Sequence, residues 1–435
     1  MSMRTERPGG TESGESTAPG RAGNAAEEAG RAPAEAAEGA ERATGAGRLP
    51  LLDVLRGLAI LGTLGMNIWL FAGPGGELGI LDRDMPTLAS AAADPGAGAV
   101  AEALFRLAMN GTSLSLLTLL FGAGLAVQYR SARKRGLPWP GPYKWRALFL
   151  FFEGLVHFTL VFAWDVLMGY AMTALVAAWL LARGPRVRVA AAAVAGTVHV
   201  ALMGVGTALL AASPDTTGGE GGASAELVRL YAEGTYPEQV AARLENAAVL
   251  RLEPVMTFGL LLALFLCGVF LFRAGAFSPG AQGRRLRVRM AVWGLGTGVP
   301  MKAAASLLGG DWFLIERYAA APVAAIGVAG LVGLVLDRAQ RTGPVVRALS
   351  DLGRVALSGY VLQNVLAMLA CYGFGLGLAA RFADSGPWWV IALWAAIGAV
   401  LLAGSTLWLR RFRHGPLEAV QKAALAGTAR RRTAR

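Results

Sequence analysis

Side chains able to do chemistry are few in this sequence, and the densest set lies in WRALFLFFEGLVHFTLVFAWDVLMGYA. Glu153 and His157 stand four apart, so on a helix they share one face. Asp165 follows His157 by eight residues, in a turn beside Trp164. A histidine with carboxylates in reach can serve as a general base or carry a group briefly, because imidazole exchanges a proton near neutral pH. A second set lies in LPLLDVLRGLAILGTLGMNIW. There Asp53 and Arg56 are three apart, and Asn67 falls eleven residues beyond Arg56, about three helical turns along the same face. A third set, in LGRVALSGYVLQNVL, crowds Ser358, Tyr360, Gln363 and Asn364 onto one helix. The other histidines are His199, in an apolar run, and His414, in a basic tail. Each set also has a structural reading: a hydrogen-bonded packing histidine, charges that snorkel to an interface, or polar glue between helices.

The elements that must hold these residues follow from composition. Hydrophobic residues make up 54 % of the 435, charged residues only 16 %, and mean hydropathy is +0.47. Soluble domains carry about 25 % charged residues. The balance excludes a disordered chain, a coiled coil and a disulfide scaffold, and argues against a soluble enzyme. It suffices for about ten membrane helices of about 20 residues each. The apolar runs predict an all-α polytopic membrane protein with spans near 50–72, 111–129, 145–163, 165–182, 187–211, 254–273, 288–308, 316–337, 352–380 and 387–409. The stretch 97–110 reads as an interfacial or re-entrant helix. Ionisable residues inside spans are costly there, and function is their default reading. Cys267 and Cys371 sit in separate apolar runs, which predicts neither a disulfide nor a metal site. Gly373 and Gly377 have the spacing of a helix-packing pair.

Charge placement predicts sidedness. The links after the second, fourth, sixth and eighth spans, with the C-terminal tail, carry roughly four times as many Lys and Arg as the alternate links, which hold Arg83, Arg229, Arg243, Arg251, Arg317 and Arg381. Both termini are therefore expected in the cytoplasm, and the net charge of +12 needs no nucleic acid to explain it. Residues 1–48, rich in Ala, Gly, Glu, Pro, Ser and Arg, read as a disordered cytoplasmic tail. Residues 49–211 read as the first five spans, 212–253 as an outer loop, 254–425 as the last five spans and 426–435 as a basic tail. The outer loop contains two amphipathic stretches broken at Gly234 and Pro237, either a surface helix pair or a lid over an outward cavity.

Several segments resemble one family. LDVLRGLAILGTLGMNIW, LLTLLFGAGL at 116–125, the His157 to Asp165 spacing, LYAEGTY, LGRVALSGYVLQ and FRHGPLEAV are similar to the motifs of the YeiB-like bacterial membrane proteins, whose C-terminal half is the domain of unknown function numbered 418. The similarity runs from about 49 to 425. Ala163 stands where many relatives carry an Asp, so only Asp165 matches that turn. Ala419 and Gln421 replace two tryptophans of the closing motif.

More remotely, the chain resembles the transmembrane acyltransferases, among them the acyltransferase-3 group and the lysosomal heparan-glucosaminide acetyltransferase. The acyltransferase-3 first span places a His after an Arg and ten residues; here Arg56 is followed at that spacing by Asn67. An amide cannot deprotonate a hydroxyl, so His157 takes the base role. The resemblance implies transfer from a cytoplasmic acyl-CoA-type donor to an outer-face sugar, lipid or cell-wall acceptor. Arg56, beside Asp53, would hold donor phosphates, Asp165 would orient His157, Asn67 and Gln363 would polarise the thioester, and Trp164 would help bind substrate. Acyl-CoA is thus a co-substrate, and no bound cofactor is expected. The expected surroundings are the bilayer of the bacterial cytoplasmic membrane and a small-molecule or glycan acceptor, with no nucleic acid. A transporter or flippase, and a non-enzymatic membrane partner, are the alternatives. Enzyme status and oligomeric state stay open at this level.

Overall fold

A computed structural model describes residues 49–81, 86–141, 143–212, 224–339 and 343–433, without the side chains of 80–81 and 426–433. The expected disordered tail over 1–48 lies outside them, as do the side chains of the basic tail over 426–435. Residues Pro50–Arg435 form one unit, and its described residues contain helices and no strand. The principal helices are α1 (Pro50–Ala72), α2 (Ala97–Met109), α3 (Thr112–Lys134), α4 (Tyr143–Leu160), α5 (Leu167–Leu181), α6 (Pro185–Ala212), α7 (Ala225–Glu233), α8 (Tyr236–Glu245), α9 (Phe258–Ala274), α10 (Ala281–Leu307), α11 (Ala321–Arg338), α12 (Pro344–Arg354), α13 (Ala356–Cys371), α14 (Trp388–Arg411) and α15 (Pro416–Thr433).

Five helical segments are long and apolar enough to cross a membrane, and two bent pairs raise the number to seven. The ten expected apolar stretches are all helical, but not all meet that test. α4 and α10 are long enough yet too polar, and α5 has only 15 residues. The outer surface is that of a membrane protein. α6 turns Val194, Val198, Val205 and Leu209 outward while burying Arg188, His199 and Thr207. A water-soluble helix does the reverse.

The apolar α1 is buried along nearly its whole length, with Leu55, Ala59, Leu64, Ile68 and Phe71 fully enclosed. It packs on α3, α12, α13 and α14. Its crossing with α12 is set by two glycines. A side chain at Gly57 would meet the Leu349 carbonyl, and one at Gly353 would meet the Asp53 carbonyl. Small residues allow such backbone contact between helices.

At Val355 the chain bends by 93° from the amphipathic α12 into the buried α13. The first free N–H groups of α13 find an acceptor outside the helix. Glu418 Oε1 takes the Leu357 and Ser358 amides at 2.8 and 3.3 Å, and its Oε2 takes the Ser358 hydroxyl at 2.5 Å. Thus Glu418, at the start of α15, fixes the helix that carries Tyr360, Gln363 and Asn364.

Two sequence expectations change. Gly373 and Gly377 lie beyond the end of α13 in a turn, so they do not form a helix-packing pair. Gly373 instead donates its N–H to the Tyr231 carbonyl at 2.9 Å. Pro237 lies inside the first turn of α8, where a missing N–H costs nothing. The break falls at Gly234 and Thr235, and Glu238 closes a capping box on Thr235.

Candidate functional site

The end of the bundle that carries segment 224–256 gathers the buried polar residues. His157, one turn from the end of α4, and Asp165, in the turn before α5, are both almost completely buried. Nδ1 of His157 faces Asp165 Oδ1 at 3.4 Å, and neither atom has a hydrogen-bond partner among the described residues. Oδ2 of Asp165 accepts the Met168 N–H at 3.2 Å and so caps α5. On the other side of the ring, Asn364 Nδ2 reaches His157 Nε2 at 3.2 Å. Asn364 Oδ1 in turn accepts from Asn67 Nδ2 at 3.1 Å. This direction of bonding leaves Nε2 as acceptor and places the ring proton on Nδ1, toward Asp165. Tyr360 stands edge-on to the imidazole, 5.0 Å between ring centres.

The structure therefore brings His157, Asp165 and Asn67 into one chain, with Asn364 as the link. Gln363 lies next to it and donates to Thr63 Oγ1 at 3.2 Å, one turn from Asn67 on α1. Trp164 adjoins Asp165 and donates its indole N–H to the Glu77 carbonyl at 2.6 Å. Asp53 and Arg56 are elsewhere. They pair at 3.2 Å on the opposite end of α1, about 16 Å of helix from Asn67. Glu153 is half-buried on the His157 face of α4 and makes no bond to His157. His199 contacts the Tyr318 carbonyl at 3.1 Å from Nε2, a packing arrangement.

Two clusters were not singled out by the sequence. In the first, Glu77 and Arg243 are fully enclosed and paired at 2.6 Å. Glu77 also accepts from the Ala163 amide at 2.7 Å and the Tyr231 hydroxyl at 3.3 Å. Arg243 donates to the Thr159 carbonyl at 2.7 Å. The phenol of Tyr231 is pushed up by burial and then by the Glu77 charge. Burial disfavours the Arg243 cation, but the Glu77 charge and hydrogen bond, with Tyr372 and Tyr231, together outweigh it and the guanidinium is held more firmly protonated than usual. This pair clasps α8 to the turn that carries Asp165, so segment 224–245 is docked rather than free.

In the second cluster, Lys302 donates to the Asn110 carbonyl and to Thr112 Oγ1, with Glu316 3.8 Å away. Arg317 donates to Asn110 Oδ1 at 2.8 Å and to Glu253 at 3.1 Å. The Tyr318 hydroxyl donates to the same carboxylate at 2.5 Å. Arg317 and Tyr318 sit on a π-helical turn, Glu316–Ala320, a distortion frequent at functional sites. Gly111, at φ +68°, lets the Arg317 carbonyl approach where a Cβ could not fit. The available signal was Lys302 and Glu316 within apolar runs. Among the described residues no three His, Cys, Asp or Glu side chains gather as metal ligands.

Two cavities adjoin these clusters. One, of about 300 Å³, is lined by Met66, Leu70, Trp164, Leu252, Glu253 and Arg317 among others. A narrower one, of about 30 Å³, shares Glu253, Thr257, Arg317 and Tyr318 with it and reaches Asp165.

A buried histidine–carboxylate pair whose carboxylate lines a narrow cavity, in a helical bundle with an apolar exterior, marks a membrane protein with a candidate reaction or transit site. Residues 271–428 match the family described as "Protein of unknown function (DUF418)". The chain is 24 % identical over 406 residues to the uncharacterised protein YxaH of Bacillus subtilis (strain 168), covering 87 % of this chain and 94 % of that one. It is 28 % identical over 391 residues to the uncharacterised protein YeiB of Escherichia coli (strain K12), covering 84 % and 93 %. Residues 271–428 thus resemble the DUF418 family, and most of the chain is similar to these two proteins. No solved structure matches it significantly. Both relatives are named without an activity, so the function rests on the site.

Proposed function

We propose that the protein is a membrane acyltransferase that moves an acyl group from a cytoplasmic acyl-CoA-type donor to a hydroxyl-bearing acceptor at the opposite face. The observation that carries this reading is the buried Asp165–His157 pair, whose Asp165 lines a narrow cavity at the 224–256 end. An acceptor hydroxyl takes the position of the Asn364 amide beside Nε2 and gives its proton to His157. Asp165 holds the Nδ1 proton and stabilises the imidazolium that forms. The acceptor oxygen attacks the thioester carbonyl, the C–S bond breaks, and the departing thiolate takes the proton back. The second N–H of Asn67 or Gln363 would face the developing oxyanion. Arg56 and Asp53 lie at the far end of α1, so the donor's flexible arm would run along α1 toward Asn67. Ten membrane-embedded helices with both termini cytoplasmic suit this polarity, and the bias of Lys and Arg supports it.

The test is twofold. Acetyl-CoA and longer acyl-CoAs should raise the melting temperature of the purified protein, with free CoA as control. A ligand at a hundredfold excess over its dissociation constant stabilises the folded state by about 2.7 kcal/mol. Transfer to acceptors should fall by about 10²-fold or more in His157→Ala with folding intact. Full transfer in that variant sinks the role of His157. One observation favours the alternative, a transporter or flippase. The buried pairs Lys302–Glu316 and Arg317–Glu253, the second bordering both cavities, supply more membrane-depth charge than the sequence suggested. Substrate flux in proteoliposomes without any acyl donor would favour that reading.

A further inference from the structure

The larger cavity has an apolar body and one polar corner. Met66, Leu70, Met203, Leu252, Met256 and Leu314 form the body. Glu253, Arg317 and Tyr318 form the corner, with Trp164 and Phe313 presenting rings beside it. Val249 and Leu252 are 51 % and 52 % exposed, so the cavity opens outward between segment 247–256 and the turn at 313–314. At about 300 Å³ it falls in the size range of small-molecule sites.

The charge balance at the corner selects the occupant. Arg317 is matched by Glu253 at 3.1 Å, and behind it Lys302 is matched by Glu316 at 3.8 Å. Arg251, the next cation around, donates to the Asp165 and Ala163 carbonyls. A further buried anion or cation would stand uncompensated, which is costly. A hydroxyl can accept and donate at once. The corner offers both complements. Nε of Arg317, on a side chain only 5 % exposed, is a donor with no partner among the described residues. The Glu253 carboxylate accepts. Paired Arg and Glu beside aromatic faces therefore suit a polyhydroxylated head.

We infer that this cavity seats a neutral amphiphile with a hydroxylated head, an alkyl glycoside being the simplest case, with the head against Glu253, Arg317 and Tyr318 and the chain along the apolar body. The narrower cavity leads from that corner to Asp165 and is wide enough for a water-sized group. A head-group hydroxyl can thus reach the Asp165 side of the His157–Asp165 pair. The inference names the acceptor class for the acyltransferase reading and rests on it only for that last link.

The experiment uses the full chain in phosphatidylcholine nanodiscs and a diazirine-bearing octyl glucoside as photolabel, mapped by mass spectrometry. Label should concentrate on peptides holding Leu252–Met256 and Phe313–Tyr318. Unlabelled octyl glucoside should compete at least tenfold better than octanoate, octyltrimethylammonium or free glucose. Arg317→Met should cut labelling at least tenfold. Because that variant strands Glu253, Leu252→Trp is the companion: it fills the mouth, leaves the polar corner intact, and should remove labelling without lowering the melting temperature. Equal competition by octanoate, equal competition by glucose, uncompeted label spread over outward-facing helices, or full labelling of Leu252→Trp would each overturn the inference. Site-specific labelling with no acyl transfer would leave the binding site standing and remove the acyltransferase reading.

Discussion

The two ends of the helical bundle use charge differently. At the end bearing segment 224–256, ionic and polar pairs join residues far apart in the chain and are closed off from solvent: Glu77 with Arg243, Asn67 with Asn364, Lys302 with Asn110. At the other end, Asp53–Arg56 and Asp351–Arg354 are three-residue neighbours on single helices with arginine side chains 30 % and 29 % exposed, and one distant pair, Arg287–Asp337 at 2.8 Å, joins α10 to α11. Local pairs can form in an isolated helix and contribute little. Distant enclosed pairs exist only once the fold has closed, and each loses heavily if one partner is removed. The first end gathers most of the enclosed polar pairs between distant residues, and it is also where the candidate site lies.

The comparison is broken most directly at Glu77. Glu77→Ala should leave Arg243 enclosed and unpaired and cost about 3–5 kcal/mol. Arg354→Ala at the other end should cost about 0.3–0.5 kcal/mol. Denaturation in detergent, read by circular dichroism or thermal shift, compares the two. Similar losses would mean that Glu77 is hydrated in the membrane-bound protein. The paired change Glu77→Leu with Arg243→Met should recover most of the loss, because both buried charges are then gone.

A smaller effect sharpens the comparison at the bend between α12 and α13. Glu418 is a distant partner working at the local-pair end, where it accepts the first N–H groups of α13. Glu418→Ala should cost about 0.5–2 kcal/mol, the range for a lost helix cap. Since α13 carries Asn364, the same variant should weaken the coupling between His157 and Asn364 in a double-mutant cycle. An unchanged coupling energy would restrict Glu418 to local capping.

Much of this was legible in sequence, for identifiable reasons. Helix positions followed from the long apolar runs. His157 and Asp165 stood out because imidazole and carboxylate are rare in such runs. Their partner Asn364 was visible only as one of several polar residues on α13, since its contact with His157 spans 207 positions. Glu77 and Arg243 were unreadable for the same reason: each looked like an ordinary charge in a link. The spacing of Arg56 and Asn67 on α1 already placed them about three turns apart, toward opposite ends of the helix. The bend at Val355 was hidden because the Glu418 side chain that satisfies the helix beyond it lies about sixty residues away.

The smallest expected effect tests the exposed rim of the buried end. Glu238 caps Thr235 through bonds of 2.7 and 2.9 Å to its N–H and hydroxyl. Those bonds, with the Arg229 charge a lesser contribution, hold its carboxyl below the ordinary range. A carboxyl depressed in the folded state stabilises it at every pH above the unfolded value, and the gain is lost as pH falls through the folded value. Glu238→Gln should therefore lower the melting temperature slightly at neutral pH, and the gap from wild type should close in acid, below the usual carboxylate titration. Glu77, enclosed and ion-paired, should show a far larger mutational gap at neutral pH. Equal gaps at the two positions would mean that enclosure, and not merely bonding, has been misjudged as the source of the difference between rim and interior.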